Sequence, residues 1–434
     1  MQSKIIILDD DPTGSQTVHS CLLLSRWDVG TLQLGLNDVS PLMFVLTNTR
    51  GMDATEAANV TREVCQNLKK ALAGFDRPII LVSRSDSTLR GHYPVETDVM
   101  AQELGPFDAH FLIPAFFEGG RFTLHGIHYV RIGGKNVPAH ETEFAQDSVF
   151  GYQNSFMPKY VEEKTAGRIK ADEVVRFFIE EVRGSSFDHL MILTDNACCV
   201  VDAENQDDLN HFAEELLNAA EHGKRFLFRS AASLLTALAK LPPQPIPAER
   251  MREYVKPGQA GAIVVGSHVK KTTEQLKVLL QQEGVVPVEV DVNRLPEQLS
   301  DLLVEVIIKT TEAHQQGKTP VIFTSRAERQ FPDINTRLRF GEQVSGFLMS
   351  VVHGLPQTIG YIISKGGITS NDMLSMGLAI PAARSVGQIH TGCSVVLTPH
   401  DHPRLPDMPV VIFPGNVGDE NALATVYQRL RNPG

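Results

Sequence analysis

Short runs of Ile, Val and Leu alternate along the chain with longer amphipathic stretches, and this alternation limits the possible folds more than any other feature. In the first two thirds the apolar runs are 5–8, 43–46, 79–82, 110–114, 190–193 and 225–228. Helical patterns lie between them at 54–74, 94–104, 171–183, 204–222 and 231–239. Strands that are apolar on both faces are typical of parallel sheets covered by helices. The pattern therefore predicts an α/β fold with a doubly wound, mostly parallel sheet.

Residues 119–160 depart from this alternation. Two glycine pairs, Gly119-Gly120 and Gly133-Gly134, flank a strand-like run at 128–132. Glycine pairs between short apolar runs are typical of tight turns. We interpret the segment as a β-rich antiparallel excursion or lid.

A proline-rich stretch at 241–258 divides the chain, because proline continues neither a helix nor an inner strand. Strands are then predicted again at 261–265, 286–290, 320–324, 359–363, 394–397 and 409–413. Helices are predicted at 270–283, 297–316, 336–353 and 371–377. We therefore expect two α/β domains, at 1–240 and 259–434, joined by a linker at 241–258. The expected active site is the cleft between them, since ligand sites are frequent at domain interfaces.

Composition excludes several functional classes. The chain has 434 residues, of which 42% are hydrophobic and 21% charged, as in packed globular proteins. Its net charge of −11 makes nucleic acid and anionic membranes poor partners. No apolar run is long enough to span a bilayer, and the first residues do not resemble a signal peptide. Five cysteines without a C-x-x-C pair predict a reducing, cytoplasmic environment.

Three polar clusters follow predicted strands in the first domain. In open α/β sheets, ligands bind beyond the carboxyl ends of strands. Asp9, Asp10 and Asp11 follow the first strand, and their carboxylates can hold Mg²⁺, accept a hydroxyl proton or bind sugar hydroxyls. A helix cap and turn is the alternative interpretation. Arg50 follows the strand at 43–46, and on its own it indicates little.

The cluster at 83–92 combines two arginines, one aspartate and several hydroxyl groups. Arg84 and Arg90 suit a carboxylate, which a guanidinium grips with two hydrogen bonds. The hydroxyls suit a polyol. The alternative is a capping loop whose arginines pair with carboxylates of the protein. Together the three clusters predict a site for one small polar anion.

In the second domain, glycine loops follow three predicted strands, at 266–268, 364–372 and 414–419. Glycine lets backbone N–H groups approach a phosphate, and a helix that begins near Asn371 would add its positive end. A tight turn is the alternative for each loop alone. The chain has no G-x-x-x-x-G-K-[ST], G-x-G-x-x-G, G-x-S-x-G or H-E-x-x-H motif. No metal ligands are identified.

The motifs resemble those of the four-carbon acid sugar kinase family. The stretches at 10–14 and 86–91 resemble its D-D-x-T-G and D-S-T-L-R-G motifs, and 366–369 and 414–418 match its G-G-[DE]-T and S-G-N-F-G positions. The resemblance implies an acid-sugar-binding domain at 1–240 and a nucleotide-binding domain at 259–434. It implies an ATP-dependent kinase that phosphorylates the terminal hydroxyl of threonate, erythronate, 3-oxo-tetronate or 3-oxo-isoapionate. It also implies a homodimer. Ile368 replaces the acidic residue of G-G-[DE]-T, and Asp372 is a candidate to compensate for it.

The resemblance also implies which residues form the site. Substrate contacts are expected from Asp11, Arg50, Arg84, Ser85, Asp86, Ser87, Thr88 and Arg90. ATP contacts are expected from Ser267, Gly366, Gly367, Ile368, Thr369 and Gly415. Asp10 or Asp11 would accept the proton of the attacking hydroxyl, with Asp86 as the rival base, while Mg²⁺ would accompany ATP. A Mg²⁺-dependent phosphatase or aldolase acting on a sugar acid, and a sugar-acid sensor without catalysis, are the alternative functions.

Overall fold

A computed structural model describes residues 3–326, 331 and 334–431. The chain divides into two compact units, Met1–Pro242 and Pro243–Gly434. Each unit contains a mostly parallel sheet flanked by helices, which confirms the predicted fold class. Among the described helices, none combines the length and the apolar composition needed to cross a membrane.

The first unit has eleven described strands and eight α-helices. Its strands are β1 Lys4–Asp9, β2 Leu22–Leu24, β3 Leu42–Leu46, β4 Ile79–Arg84, β5 Ala109–Ile113, β6 Arg121–Leu124, β7 Ile127–Ile132, β8 Lys135–Pro138, β9 Val175–Phe177, β10 Ala197–Val201 and β11 Phe226–Ser230. Its helices are α1 Val29–Asn37, α2 Ala54–Ala71, α3 Val95–Leu104, α4 Met157–Lys164, α5 Ile179–Arg183, α6 Phe187–Ile192, α7 Gln206–Glu221 and α8 Ala232–Ala239.

Eight of these strands form one parallel sheet in the order β2-β3-β1-β4-β11-β5-β10-β9. The inner strands are buried along their whole length because helices cover both faces. The register pairs Asp9 with Leu46 on one side and with Arg84 on the other, and Ser230 with Arg84. Four strands therefore end at the same level, so the loops that follow them begin side by side.

The segment at 119–160 leaves this sheet. Strands β6, β7 and β8 form a separate antiparallel sheet, and α4 follows it. Tyr152, Met157 and Tyr160 from this region pack in one apolar cluster with Leu89 and Tyr93. The excursion therefore rests on the loop that follows β4.

Two predicted elements of the first unit are wrong. The apolar spacing of Val174, Val175, Phe178 and Val182 predicts a helix over 171–183, but only its end is helical, as α5. Strand β9 occupies its centre, because Val175 pairs with Cys199 of β10. The predicted strand at 190–193 is part of α6, and the strand of this region is β10. A short apolar run does not distinguish a strand from one turn of helix.

The second unit has seven described strands and five α-helices. Its strands are β12 Ala262–Val265, β13 Val285–Val290, β14 Thr319–Thr324, β15 Ile362–Lys365, β16 Ala382–His390, β17 Cys393–Leu397 and β18 Pro409–Phe413. Its helices are α9 Lys270–Leu279, α10 Leu295–Gln315, α11 Ile334–His353, α12 Gly367–Asp372 and α13 Ala422–Leu430.

The sheet of this unit has the order β13-β14-β12-β15-β18-β17-β16. The first five strands of this order are parallel, whereas β17 is antiparallel to both of its neighbours, β18 and β16. Strand β15 begins later than the predicted 359–363. The predicted helix at 371–377 begins earlier, as α12, and continues as a π-helical turn at Met373–Gly377. Gly366 allows this early start, because its φ of 126° turns the chain at once after β15.

Part of the proline-rich stretch is structured. Residues Ala248–Tyr254 form a 3₁₀ helix whose Met251 is fully buried. Met251 packs in the apolar core of the second unit together with Tyr361 and Val411. This part of the stretch therefore stabilises the second unit as well as leading into it.

Candidate active site

The three polar clusters of the first unit meet at the carboxyl edge of its sheet. Asp10 is buried, and the guanidinium of Arg50 donates two hydrogen bonds to it, one of them from Nε at 3.2 Å. The hydroxyl of Ser85 donates a third at 2.6 Å. One carboxylate therefore connects the loops that follow β1, β3 and β4.

Asp11 is the more accessible neighbour, with 21% of its side chain exposed. Its carboxylate accepts hydrogen bonds from Arg50 at 3.3 Å and from the backbone N–H of Thr13 at 2.9 Å. Asp11 thus also caps the 3₁₀ helix Pro12–Thr17. Burial favours a higher pKa for Asp11, but Arg50 and the Thr13 N–H outweigh it and hold the pKa below its usual value. The carboxylate is therefore ionised at neutral pH.

Asp9 and Arg84 form a buried pair behind these residues. Arg84 is only 4% exposed and donates to Asp9 at 3.3 Å. Burial raises the pKa of Asp9 to about 7, although Arg84 opposes the shift. A Cβ at Gly14 would overlap the Asp9 carboxylate, so only glycine lets the 12–17 turn close here. Arg84, which the motifs place among the substrate contacts, is thus already occupied by Asp9.

The loop after β4 contains the second charged pair, Asp86 and Arg90. The Nε of Arg90 donates to Oδ2 of Asp86 at 2.6 Å, and the Thr88 hydroxyl donates to the same oxygen. Burial favours a raised pKa, but Arg50, Arg90 and Thr88 together hold the pKa of Asp86 well below its usual range. Ser87 and Thr88 are themselves mostly buried. The side chains of Asp86 and Arg90 are therefore more accessible than those of Ser87 and Thr88.

Two residues that the sequence does not single out complete the network. Arg229, the penultimate residue of β11, donates to Ser83 Oγ at 2.7 Å, to Ser85 Oγ at 2.6 Å and to Glu96. Glu96 in turn accepts a hydrogen bond from the hydroxyl of Thr49.

These bonds form a closed ring around Asp10. Thr49 adjoins Arg50 in the chain, and both Arg50 and Ser85 bond to Asp10. Glu96 bonds to Thr49 and to Arg229, and Arg229 bonds to Ser85, which closes the ring. An arginine directly after the predicted strand at 225–228 was the only sequence signal for this part of the site.

The excursion holds the backbone of the Asp86 loop. His128 Nε2, the Tyr152 hydroxyl and the Tyr160 hydroxyl donate to the carbonyls of residues 87, 88 and 89 at 2.7, 2.9 and 3.0 Å. Because a carbonyl only accepts, Nε2 of His128 carries the proton. Burial lowers the pKa of His128 to about 4, so the ring is neutral at pH 7.

In the second unit, the three glycine loops also come together. The hydroxyl of Thr272 lies 3.0 Å from both Ser267 Oγ and the carbonyl of Gly415. The buried ammonium of Lys365 donates to the Pro414 carbonyl at 2.6 Å. A Cβ at Gly266 would overlap the hydroxyl of Thr369, which follows β15. The loops after β12, β15 and β18 therefore form one compact group, in which backbone amides can approach a phosphate.

Five of the six residues expected to contact ATP lie together, and Ile368 is the exception. Ser267, Gly366, Thr369 and Gly415 lie in this group of loops, as does Gly367 at the start of α12. Ile368 is 64% exposed. Asp372 is largely buried and accepts hydrogen bonds from Ser345 and Asn371, so its carboxylate is already engaged and is a poor replacement for an acidic residue at 368.

The described residues contain no group of three His, Cys, Asp or Glu side chains arranged to hold a metal ion. All five cysteines are buried free thiols. A Mg²⁺ ion that accompanies a nucleotide takes many of its ligands from phosphate and water, so such an ion does not require a cage of protein carboxylates.

Fold and loops together define a class of two-domain proteins. A family model described as a sugar-binding N-terminal domain matches residues 5–238, and one described as a nucleotide-binding C-terminal domain matches residues 262–423. The chain belongs to the family that these domains define, the four-carbon acid sugar kinases, which confirms the resemblance seen in the motifs.

Two curated relatives carry specific names. The chain is 25% identical over 311 residues to a D-erythronate kinase of Heliobacterium modesticaldum, across 68% of this chain and 64% of that protein. It is 31% identical over 160 residues to a D-threonate kinase of Bordetella bronchiseptica, across 35% of this chain and 37% of that protein. The chain thus spans less than two thirds of either relative.

Solved structures support the fold. A Haemophilus influenzae protein of 17% identity superimposes with a TM-score of 0.66 over 98% of this chain and 100% of that one. A Salmonella typhimurium protein described as a putative tRNA synthase, at 18% identity, gives 0.69 over 99% of each chain. At these identities the similarity concerns the fold alone.

Proposed function

We propose that this protein is an ATP-dependent kinase that phosphorylates the terminal hydroxyl of a four-carbon or branched sugar acid. Threonate, erythronate, 3-oxo-tetronate and 3-oxo-isoapionate are the candidate substrates. The observation that carries the proposal is the meeting of Asp11, Arg50, Asp86 and Arg90 at the edge of the sugar-binding domain. A nucleotide-binding domain in the same chain and relatives named as kinases support it.

We assign the base role to Asp11. Both oxygens of Asp10 are bonded to Arg50 or Ser85 and are buried, whereas Asp11 keeps one fifth of its side chain exposed. Asp86 is the rival base. Phosphoryl transfer depends mainly on positioning and charge neutralisation, so an acceptor of low pKa is sufficient.

The sugar carboxylate is assigned to the two partly exposed arginines. Arg50 and Arg90 have 20% and 25% of their side chains exposed, and a guanidinium can bind two carboxylates at once. Arg84 is assigned a supporting role, because it is buried against Asp9.

ATP is assigned to Ser267, the loop at 366–369 and Gly415. Their glycines leave room for a phosphate near the backbone amides. Mg²⁺ would neutralise charge on the transferred phosphate. The buried free cysteines favour a cytoplasmic enzyme, and the family resemblance favours a homodimer.

The first test is ADP release with Mg²⁺-ATP against a panel of D- and L-threonate, D- and L-erythronate, their 3-oxo forms and 3-oxo-isoapionate. We expect turnover on one acid, and a fall in kcat of about 100-fold for Asp11→Asn, since a positioned base contributes about that much. Asp28→Asn is the matched control, because Asp28 also caps a helix but lies outside the site.

Each other result has a definite meaning. Full turnover by Asp11→Asn would transfer the base role to Asp86. Binding of an acid without ADP release would reject the kinase and favour a sensor. Consumption of a phosphorylated acid without ATP would favour a phosphatase or an aldolase.

A further inference from the structure

A small cavity that opens to solvent lies within the first unit, where β4, β5 and β11 end. Its polar lining consists of Ser85, Asp86, Arg90, Arg229 and Ser230. Its apolar lining consists of Leu89, Tyr93, Leu112, Pro114, Met157 and Tyr160. Walls that combine apolar side chains with a few polar groups are typical of small-molecule sites.

Ser230 contributes a hydroxyl that the protein itself leaves unused. The residue is 3% exposed, and its Oγ has no hydrogen-bond partner among the residues that the structure describes. Buried polar atoms in folded proteins almost always have a partner, from protein, water or ligand. The Ser230 hydroxyl is therefore available to a molecule in the cavity.

The charged groups of the lining determine what that molecule presents. Both hydrogen bonds to Asp86 end on Oδ2, and no described residue bonds to Oδ1. Arg229 is already engaged by Glu96 and two serines, whereas Arg90 bonds to Asp86 through Nε, and its terminal nitrogens are left for the carboxylate assigned to it above. An ionised carboxylate accepts hydrogen bonds and repels another carboxylate. The part of the cavity between Ser230 and Asp86 Oδ1 therefore suits a hydroxyl group and disfavours an acid group.

We propose that this cavity is the subsite for a hydroxyl of the sugar acid that does not react, and that Ser230 and Asp86 recognise this hydroxyl. In a linear four-carbon acid this group is the hydroxyl at C2 or C3, and in a branched acid it is a hydroxyl on the branch. The apolar wall covers the carbon chain. The proposal rests on the proposed function for the class of ligand, and adds the residues that select among such acids.

The test measures binding by titration calorimetry without ATP. The probes are D-erythronate, D-threonate and two acids that lack one inner hydroxyl, 2,4-dihydroxybutanoate and 3,4-dihydroxybutanoate. We expect wild-type protein to bind at least one parent acid about tenfold more tightly than one deoxy acid, because an unmatched buried polar group penalises the analogue. Ser230→Ala should lose most of that difference by weakening the parent acid alone.

Ser394→Ala is the matched control. Ser394 is another buried serine whose hydroxyl lacks a partner among the described residues, but it lies on β17 of the second unit. It should leave all four affinities unchanged. Melting temperatures of the variants show that each is folded.

The outcomes separate the subsite from the kinase. Equal affinities of Ser230→Ala and wild type for parent and deoxy acids would overturn the subsite, even if the enzyme released ADP. The expected loss in Ser230→Ala without any ADP release would uphold the subsite and reject the kinase. Failure of wild type to bind any of the four acids would overturn the subsite as a site for four-carbon acids.

Discussion

At the scale of single residues, the charged side chains of the candidate site are paired with one another. Arg50 faces Asp10 and Asp11, Arg84 faces Asp9, and Arg229 faces Glu96. Removing one member of a buried pair leaves the other charge uncompensated, which destabilises the fold. A buried pair is stabilising only when its hydrogen bonds are well aligned, so its geometry is as important as its charge. The ring around Asp10 is the clearest case.

Arg229→Lys tests whether this ring positions Asp10. Lysine keeps the charge but not the planar fork that reaches Ser83, Ser85 and Glu96 together. We expect kcat to fall about tenfold with little change in KM for ATP, and the unfolding free energy to fall by about 1–3 kcal/mol. Steady-state kinetics over pH and chemical unfolding measure these changes.

Arg183→Lys is the control for that substitution. Arg183 likewise donates hydrogen bonds to several acceptors, the carboxylates of Asp208 and Glu204, but it lies outside the site. It should leave kcat and the pH profile unchanged. If Arg229→Lys lowered stability but left kcat and its pH profile unchanged, its role would be structural only.

Sequence predicts some site residues and misses others for a physical reason. Asp11, Arg50, Asp86 and Arg90 stand directly after strands or in a recognisable motif. The partnership of Arg229 with Glu96 joins positions 133 residues apart, and nothing local marks it. Which arginine is buried by a partner, as Arg84 is, depends on packing that the pattern does not contain.

At the scale of elements, fully apolar strands are the easiest to predict. Strands β1, β3 and β4 were predicted because their Ile, Val and Leu runs are buried on both faces. The edge strand β9 was mistaken for helix, because an edge strand of three residues is too short to show a period of two. The hydrogen bonds from the excursion to the Asp86 loop were likewise invisible, since they end on backbone carbonyls.

His128→Gln tests the contribution of the excursion through pH. The His128 ring is neutral when folded, with a pKa near 4, whereas the unfolded chain binds a proton below about 6.5. Between pH 6.5 and 4 the unfolded state therefore binds more protons, and stability falls as the pH is lowered. We expect wild type to lose up to about 3 kcal/mol more than the variant across this range, as measured by urea unfolding.

His222→Gln serves as the control, because His222 is an exposed residue at the end of α7. It tests the change from His to Gln alone, and should leave the unfolding free energy at pH 7 unchanged. Parallel curves for wild type and His128→Gln would show that His128 does not remain neutral in the folded protein.

At the scale of the whole molecule, the chain divides into two units, each of which contains an apolar cluster of its own. Two such units can unfold in separate steps, and a ligand stabilises the unit that binds it. We expect calorimetry to show two transitions, with the substrate acid raising one and Mg²⁺-ATP the other. At 100 times Kd each gain is about 2.7 kcal/mol, or roughly 5–10 °C for units of this size.

Matched core substitutions assign the two transitions. Ile7→Val lies in β1 of the first unit and Ile363→Val in β15 of the second, and both side chains are fully buried. Each should lower its own transition by about 1 kcal/mol. If the acid raised the transition that Ile363→Val lowers, the assignment of the acid to the first unit and of ATP to the second would be wrong.

The three bonds from the excursion to the Asp86 loop all end on main-chain oxygens, at residues 87, 88 and 89. Every amino acid has this oxygen, so these three hydrogen bonds do not depend on which side chains the loop carries. A protein built in this way can change what the loop touches while keeping where the loop stands. Substitutions at these positions can therefore alter the proposed choice of acid without rebuilding the scaffold that presents them.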